Sequence, residues 1–487
     1  MTSPLASLEP TLLWQHFDAI RRIPRPSKHE ERIVAHVREW AASRGFEVRS
    51  DAAGSLVVRV PASPGRESSP TVVLQGHLDM VCEKNSDLDF DFMTQGLEVE
   101  VRGDWVQAKG TTLGADNGIG LAAAMAVADD PDISHGPLEI LCTVDEETGL
   151  TGAQQLDPAL VSGAILLNLD TEEDGAFYIG CAGGGDTHGE LKLGRRRAML
   201  GSIPVRLAVR GLRGGHSGLN IIENRGNAVK LAVRSLLAAL RGGVDLELVS
   251  IDGGSKHNAI PRECFAVCRV TKAELETLRD LVGRAVAGFR EEFAASDPEL
   301  AVSVEPLDDS DEHVQVLNAH ARDRLLHLLD ALPHGVLSMS RDVAGLVETS
   351  NNLAVVTTET DRARIVVSYR SSVMPALYAV AGQVRSAFLQ AGAGYVERDA
   401  YPSWKPNPSS PILGTAIEVY RRLFQTEPAV KAIHAGLECG LLLDKVPGMD
   451  AVSMGPAIEN AHSPEERVQI SSTQRFYRHL GALLAAI

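Results

Sequence analysis

Five side chains of metal-ligand type stand where strand-like runs end: His77, Asp116, Glu147 and Asp170 in the first third of the chain, and His462 near its end. His77 follows T-V-V-L-Q-G, Glu147 follows L-E-I-L-C-T-V-D-E and Asp170 follows A-I-L-L-N-L. Asp116 lies in the turn T-T-L-G-A-D-N-G (111 to 118), which opens a helical stretch. In open α/β sheets, ligands gather at the carboxyl ends of strands. Two imidazoles and three carboxylates suit a pair of Zn²⁺ ions, or Mn²⁺ or Co²⁺, and do not suit a Cu(I) or iron-sulfur centre. The pattern reads as that of a two-metal hydrolase.

His77 and Asp79 are two residues apart, so in extended backbone their side chains leave the same side of the chain. Asp79 can then accept a hydrogen bond from the ring nitrogen of His77 that does not bind metal, which fixes the tautomer. A structural histidine satisfied by a neighbouring aspartate has the same spacing, and the other motifs tip the balance toward a ligand. Glu146 and Glu147 are adjacent at the end of an apolar strand. One carboxylate can ligate, and the other can take a proton from the attacking water. G-G-H-S-G (214 to 218) invites comparison with a serine-hydrolase elbow, but G-x-S-x-G requires glycine where Leu219 stands, so Ser217 is not read as a nucleophile.

The elements that must position these groups follow from periodicity. The chain has 487 residues, 44% of them apolar, enough for two or three domains at roughly 150 residues each. After Pro24 and Pro26, Ser27 and Glu30 read as a capping box for a helix with Ile33, Val34, Val37 and Trp40 on one face, ending at Gly45. A strand is predicted at Leu56 to Val60, and strands alternate with helices to about residue 185. That order predicts an α/β domain with a parallel or mostly parallel sheet covered on both faces. From Ile203 the strands alternate apolar and polar residues, as antiparallel strands with one exposed face do. Amphipathic stretches lie among them at Asn227 to Leu240, Glu274 to Phe293, His313 to Leu332 and Ala376 to Ala391. This middle region has two roughly similar halves, a duplicated or enlarged α+β insert. Because His462 must return to the ligands of the first third, the catalytic domain is predicted to be discontinuous. It would comprise residues 1–187 and 399–487, with residues 188–398 inserted as a lid or dimerisation domain.

The net charge of −17 repels nucleic acid and anionic lipid, so neither is expected as a partner. Arg195, Arg196 and Arg197 are the one compact basic cluster and read as a solvated turn rather than a phosphate site. The six cysteines (Cys82, Cys142, Cys181, Cys264, Cys268 and Cys439) show no CxxC spacing. That argues against a disulfide framework and a thiolate zinc site, and for a reducing, cytoplasmic setting. No uncharged apolar run of about 18 residues occurs, and no basic segment precedes an apolar one at the N-terminus, so no membrane span or signal peptide is expected.

G-H-L-D-M-V (76 to 81), T-T-L-G-A-D-N-G-I-G, D-E-E-T-G, N-L-D-T-E-E and A-H-S-P-E-E occur in that order. Together they resemble the co-catalytic zinc peptidases of the aminoacyl-histidine dipeptidase type, relatives of carboxypeptidase G, peptidase V and carnosinase, over essentially the whole chain. The resemblance implies that Asp116 bridges two ions, that His77 and Asp170 complete one site, and that Glu147 and His462 complete the other. It makes Glu146 the general base and Asp79 the partner of His77, and it implies a cis peptide between Asp116 and Asn117. It also implies that His216 on the lid stabilises the oxyanion, in some relatives across a dimer. Asn258 (in N-A-I-P) and Arg370 (in S-Y-R-S) match lid positions that bind the substrate backbone and its C-terminal carboxylate. The insert is longer than a single lid, and a duplicated lid can stand in for a second subunit, so a homodimer is possible but not required. Glu438, in A-G-L-E-C-G upstream of His462, is the candidate for the substrate's free amine. The activity implied is hydrolysis of Xaa-His and other dipeptides with two divalent ions per subunit, most simply Zn²⁺. Hydrolysis of N-acyl amino acids at the same centre and a non-catalytic metal- or peptide-binding role are the alternatives. Cleavage of a dipeptide against its N-acetyl form separates the two enzymes, and metal-dependent turnover excludes the binder.

Overall fold

The apolar runs Val72–His77 and Leu138–Thr143 become strands buried at every residue, as central strands covered on both faces must be. In the computed structural model, which describes residues 3–308 and 314–487, they lie parallel with His77 beside Thr143. Ile165–Asn168 lies parallel on the other side of Val72–His77, with Asn168 beside Gln75. This register gathers the chemistry: level with His77, one neighbour runs on to Asp145, Glu146 and Glu147, and the other reaches Asp170. The full order is Glu47–Ser50, Leu56–Val60, Leu138–Thr143, Val72–His77, Ile165–Asn168, Asp450–Ser453, Ala176–Cys181 and Ala429–Ile433. Asp450–Ser453 is parallel to Ile165–Asn168, so the centre is parallel as expected. Toward the edges the pairing turns antiparallel, as at Glu47–Ser50 with Leu56–Val60, which a tight turn joins as a hairpin.

The helix Ala115–Asp129 is apolar nearly all round and is buried over most of its length. It approaches the sheet so closely that a Cβ on Gly76 would stand 2.1 Å from Oδ1 of Asn117. Helices Thr11–Ile20, Glu31–Ser43, Pro411–Phe424 and Ile470–Ala486 add Phe17, Ile33, Val37, Leu413 and Leu480 to the core that holds Leu74, Ile140 and Val452. The capping box expected from Ser27 and Glu30 does not form. Ser27 Oγ donates instead to Asp79 (2.7 Å), and Glu30 accepts from the backbone amides of Lys28 (2.8 Å) and Asp145 (3.0 Å). Donors and acceptors brought in by the fold have outcompeted the local pair.

This unit comprises the chain to Cys181 with Pro406–Ala432 and Leu437–Ile487, and a second unit comprises Ala182–Lys405 with Ile433–Gly436. The boundaries differ from the expected 187 and 398. Gly183–Lys192 and Gly394–Tyr401 pair with each other and so belong wholly to the second sheet. The strands of that sheet run in the order Ala301–Pro306, Ser202–Arg210, Cys264–Thr271, Glu247–Gly253, Val347–Thr358, Arg362–Ser371, Gly183–Lys192 and Gly394–Tyr401. Its pairings are antiparallel. A ninth strand, Gly335–Met339, pairs with Val347–Thr358 beside this path, and the two parts of the sheet meet where Gly253 faces Val356. The helices are Ala228–Arg241, Leu275–Glu292, Ala319–Ala331 and Met374–Gln390. Of the stretch expected from His313, residue 313 lies outside the described residues, and the helix starts after Asn318, whose side chain accepts from the Ala321 amide. Arg195, Arg196 and Arg197 form a short strand paired with Gln315–Leu317, not a solvated turn. Arg195 donates to the carbonyls of Thr360 and Glu359, and Arg196 pairs with Glu247 at 2.6 Å. No helix among the described residues is long and apolar enough to cross a membrane, and none of the six cysteines is in a disulfide.

His479 is buried against Phe177 with ring centroids 5.1 Å apart, and its Nε2 donates to the Ala416 carbonyl. Burial lowers its pKa to about 4. The unfolded chain therefore takes up a proton below the ordinary value near 6.5 while the folded chain does not, so stability is full above that value and is lost as pH falls toward 4. Relative to a His479→Phe variant, the parent is expected to lose roughly 2 kcal/mol between pH 7 and pH 5. Urea denaturation at the two pH values reads this directly, and a pH-independent gap would show that His479 is not held neutral.

Candidate metal centre

Asp116 stands between two imidazoles. Its Oδ1 lies 2.9 Å from His77 Nε2 and its Oδ2 lies 3.1 Å from His462 Nε2. His77 Nε2 is also 3.5 Å from Asp170 Oδ1, and His462 Nε2 is 3.1 Å from Glu147 Oε2. Two ligand sets thus share Asp116: His77, Asp116 and Asp170, and Asp116, Glu147 and His462. Oxygen and nitrogen atoms bound to one tetrahedral ion about 2.1 Å away lie roughly 3.4 Å apart, so these spacings fit. Asp170 Oδ1 and Glu147 Oε1 are buried without a hydrogen-bond partner, as acceptors awaiting a cation are. The sets contain no sulfur, in keeping with borderline or hard divalent ions. Glu146 lies beside them, grouped with His77 and Glu147. The Asp116-Asn117 peptide is cis.

Asp79 does more than the H-x-D spacing suggested. Its Oδ1 lies 3.3 Å from His77 Nδ1, which turns Nε2 toward Asp116. Its two oxygens also accept the backbone amides of Glu146 (3.0 Å) and Glu147 (3.2 Å), so one buried carboxylate orients a ligand and fixes the glutamate pair. Burial works to raise its pKa, but hydrogen bonds from His77, Ser27 and Glu146 outweigh this and bring it to about 2.

Beneath the ligands runs a buried chain of polar side chains that the sequence analysis missed. Gln75 donates to Glu438 Oε2 and accepts from Asn168, each at 2.6 Å; Thr143 also donates to Glu438 Oε2 at 2.6 Å, and Ser453 donates to Asn168. The signal was available: Gln75 and Asn168 each interrupt an otherwise apolar strand, and a polar group there must find a buried partner. Glu438 keeps Oε1 buried and unpartnered, and burial raises its pKa to about 7.

The second unit gathers the other expected residues. Strand Gly215–His216 pairs with Ala259–Ile260, and Ser217 N donates to the Asn258 carbonyl at 2.8 Å. His216 Nδ1 accepts from the amides of Gly218 (3.2 Å) and Leu219 (3.1 Å), which leaves the ring proton on Nε2. Burial first, then Arg370 and His257, lower its pKa to about 4, so the ring is neutral at neutral pH. Arg370 is 9% exposed and donates to the Tyr401 hydroxyl at 2.8 Å, while its Nε is buried without a partner. Ser217 is buried and, as expected, is no exposed nucleophile.

Paired nitrogen and oxygen ligand sets sharing one carboxylate, at the carboxyl ends of parallel strands, are the arrangement of a dinuclear metallohydrolase. The chain belongs to peptidase family M20/M25/M40, whose profile matches residues 73–486. It is 42% identical over 485 residues to the cytosol non-specific dipeptidase of Escherichia coli strain K12, covering 100% of this chain and 99% of that protein. The crystal structure of aminoacylhistidine dipeptidase from Vibrio alginolyticus is similar with TM-score 0.93 and 41% identity, over 100% of this chain and 98% of that one. Aminopeptidase PepT from Bacillus cereus, 14% identical with TM-score 0.57 over 98% of this chain and 99% of its own, shares the fold.

The carboxylates grouped around His77 and His462 favour the protonated form of both imidazoles. Burial works against charge on His77, yet Asp170, Asp116 and Asp79 raise it well above its ordinary value. Hydrogen bonds to Asp116 and Glu147 push His462 up to about 11. Ligation requires neutral imidazoles, so binding must expel these protons. Calorimetric titration of the apo protein with Zn²⁺ at pH 7.5, in buffers of different ionisation enthalpy, is expected to show release of about two protons per subunit. Proton uptake, or no exchange with buffer, would count against the ligand set.

Proposed function

We propose that the protein is a metal-dependent dipeptidase that cleaves Xaa-His and other dipeptides. The observation that carries this reading is the pair of candidate ligand sets that share Asp116, with the Glu146 carboxylate beside them. His77, Asp116 and Asp170 would hold one divalent ion, and Asp116, Glu147 and His462 the other. Zn²⁺ is the simplest occupant, with Mn²⁺ or Co²⁺ as alternatives. When bound, such ions polarise the scissile carbonyl and acidify water. Glu146 takes the proton from the attacking water and returns it to the leaving nitrogen, with Asp79 holding its backbone in place. His216, neutral and protonated on Nε2, donates to the developing oxyanion. Asn258 binds the substrate backbone.

Substrate length is measured at both ends. A buried guanidinium with no carboxylate among the described residues in ion-pair contact suits the C-terminal carboxylate, and Arg370 is such a group. The unpartnered Oε1 of Glu438 suits the free ammonium, since each buried charge requires a partner. The similarity to a cytosol dipeptidase, together with six cysteines that form no disulfide, supports a cytoplasmic setting. A homodimer is compatible with this mechanism, and the net charge of −17 keeps nucleic acid out of it.

Glu146→Gln is expected to retain both metal equivalents and substrate affinity while kcat falls at least roughly 10²-fold. Elemental analysis beside steady-state kinetics checks both halves, and loss of a metal equivalent would move Glu146 into the ligand set. For the two ends of the substrate, Arg370→Lys should raise KM for dipeptides but leave their already poor C-terminal amides nearly unchanged, because a lysine cannot reproduce the bidentate fork. Glu438→Gln should narrow the rate gap between a dipeptide and its N-acetyl form. Equal penalties on acid and amide, or an intact gap, would remove the respective residue from substrate binding.

A further inference from the structure

Glu466, the last residue of A-H-S-P-E-E, lies four residues beyond His462 and has no part in the mechanism above. It is 2% exposed. Its Oε2 accepts from the amides of Leu113 (2.7 Å) and Gly114 (3.0 Å), and its Oε1 accepts from those of Ala115 (2.7 Å) and Asp116 (3.3 Å). Four consecutive amides at the start of the Ala115–Asp129 helix, a place that elsewhere binds anions, are thus filled by the protein's own carboxylate. The far side of the same turn is gripped by Arg25. Its guanidinium is fully buried and donates to the carbonyls of Leu78 (2.9 Å), Asp79 and Gly114. Gly114 has φ +63°, and a Cβ there would stand 2.6 Å from Arg25 Nη2, so only glycine fits between the two charged groups.

We propose that Glu466 is a positioning residue for the metal centre: by binding the amides up to and including that of Asp116, it sets where Asp116 stands relative to His462. The proposal rests on the reading of those two residues as metal ligands. His462 and Asp116 are 346 residues apart in sequence and share the second ligand set. His462 has φ +64° and Asn460 has φ +56°, a left-handed backbone that non-glycine residues keep only when their surroundings fix it. Glu466 ties this turn down at one end, its own amide donating to the Ser463 carbonyl at 3.0 Å. The His77 set has other anchors. Asp79 orients His77, and Asn117 Nδ2 donates to the Leu169 carbonyl at 2.8 Å, joining the Asp116 and Asp170 segments directly. Because Asn117 and Asp79 still hold the His77 side, loss of Glu466 disturbs the set that contains His462 far more than the other, although both share Asp116.

The test is calorimetric titration of apo parent, Glu466→Gln and Glu466→Asp with Zn²⁺, each paired with urea denaturation of the apo protein. Glutamine keeps the shape but turns an NH₂ group toward two of the amides, and aspartate keeps the charge but falls one methylene short. The parent is expected to bind two ions. In Glu466→Gln the affinity of one site should fall about 10- to 100-fold, the cost usual for losing a group that orients ligands, while the other site changes little. Activity should return as metal is raised, with KM near that of the parent, and Glu466→Asp should lie between. Should Glu466→Gln not fold, Glu466→Asp carries the test with the same site-selective loss. Unchanged affinity at both sites, or equal loss at both in proportion to unfolded protein, would overturn the positioning role alone. A parent that binds one ion would overturn the two-site reading and this proposal with it.

Discussion

Crowded negative charge is the constraint to which the rest of this structure answers. Asp79, Asp116, Glu146, Glu147, Asp170, Glu438 and Glu466 gather around two imidazoles and one buried guanidinium. Two like charges about 4 Å apart repel by roughly 4 kcal/mol at an effective dielectric constant of 20, so such a cluster must be offset group by group. The fold does this in three ways. Asp79 and Glu466 accept from peptide amides, Glu438 accepts from Gln75 and Thr143 at one oxygen, and Asp116 stands between the two histidines. Asp170 Oδ1 and Glu147 Oε1 have no hydrogen-bond partner among the described residues, and that residue of uncompensated charge is what a pair of divalent cations would remove.

The parallel register makes this crowding possible. Strands in a hairpin would send neighbouring ends in opposite directions, whereas Val72–His77, Leu138–Thr143 and Ile165–Asn168 all deliver their carboxyl ends to one edge. The buried chain from Glu438 through Gln75 and Asn168 to Ser453 then locks those strands laterally, directly under the ligands. Chemistry in the second unit is of another kind. There His216 is held neutral and the Arg370 guanidinium has no ion-pair partner among the described residues, which suits groups that meet an anion rather than a cation.

Much of the centre was legible in the sequence because its ligands occupy strand ends and because apolar runs mark those strands plainly. His77, Glu147 and Asp170 are legible that way, Asp116 from a glycine-rich turn that opens a helix and His462 from the family resemblance, and the structure brings the five side chains together. What stayed hidden depended on partners far away in the chain. Ser27 and Glu30 match a capping box perfectly well in isolation, yet Asp79 and the Asp145 amide win them once the chain is folded. Glu466 looks like one more acidic residue in a charged loop, since nothing local announces four amides arriving from residues 113 to 116. The arginine triplet is a strand and not a turn for the converse reason: its pairing strand, the turn carbonyls of Glu359 and Thr360, and Glu247 all come from elsewhere in the chain, while Arg196 and Arg197 stay exposed. The unit boundaries shifted because strand pairing, and not composition, decides which sheet a segment joins.

The late position of His462 and Glu466 has a consequence for how the protein comes into being. A ribosome delivers the first ligand set, from His77 to Asp170, early, and the second only after the whole intervening unit has been made. A nascent or prematurely terminated chain can therefore display His77, Asp116 and Asp170 but not the imidazole that completes the second set. Completion of the second set is in this way deferred until His462 has been made, and a fragment ending before it carries only the first.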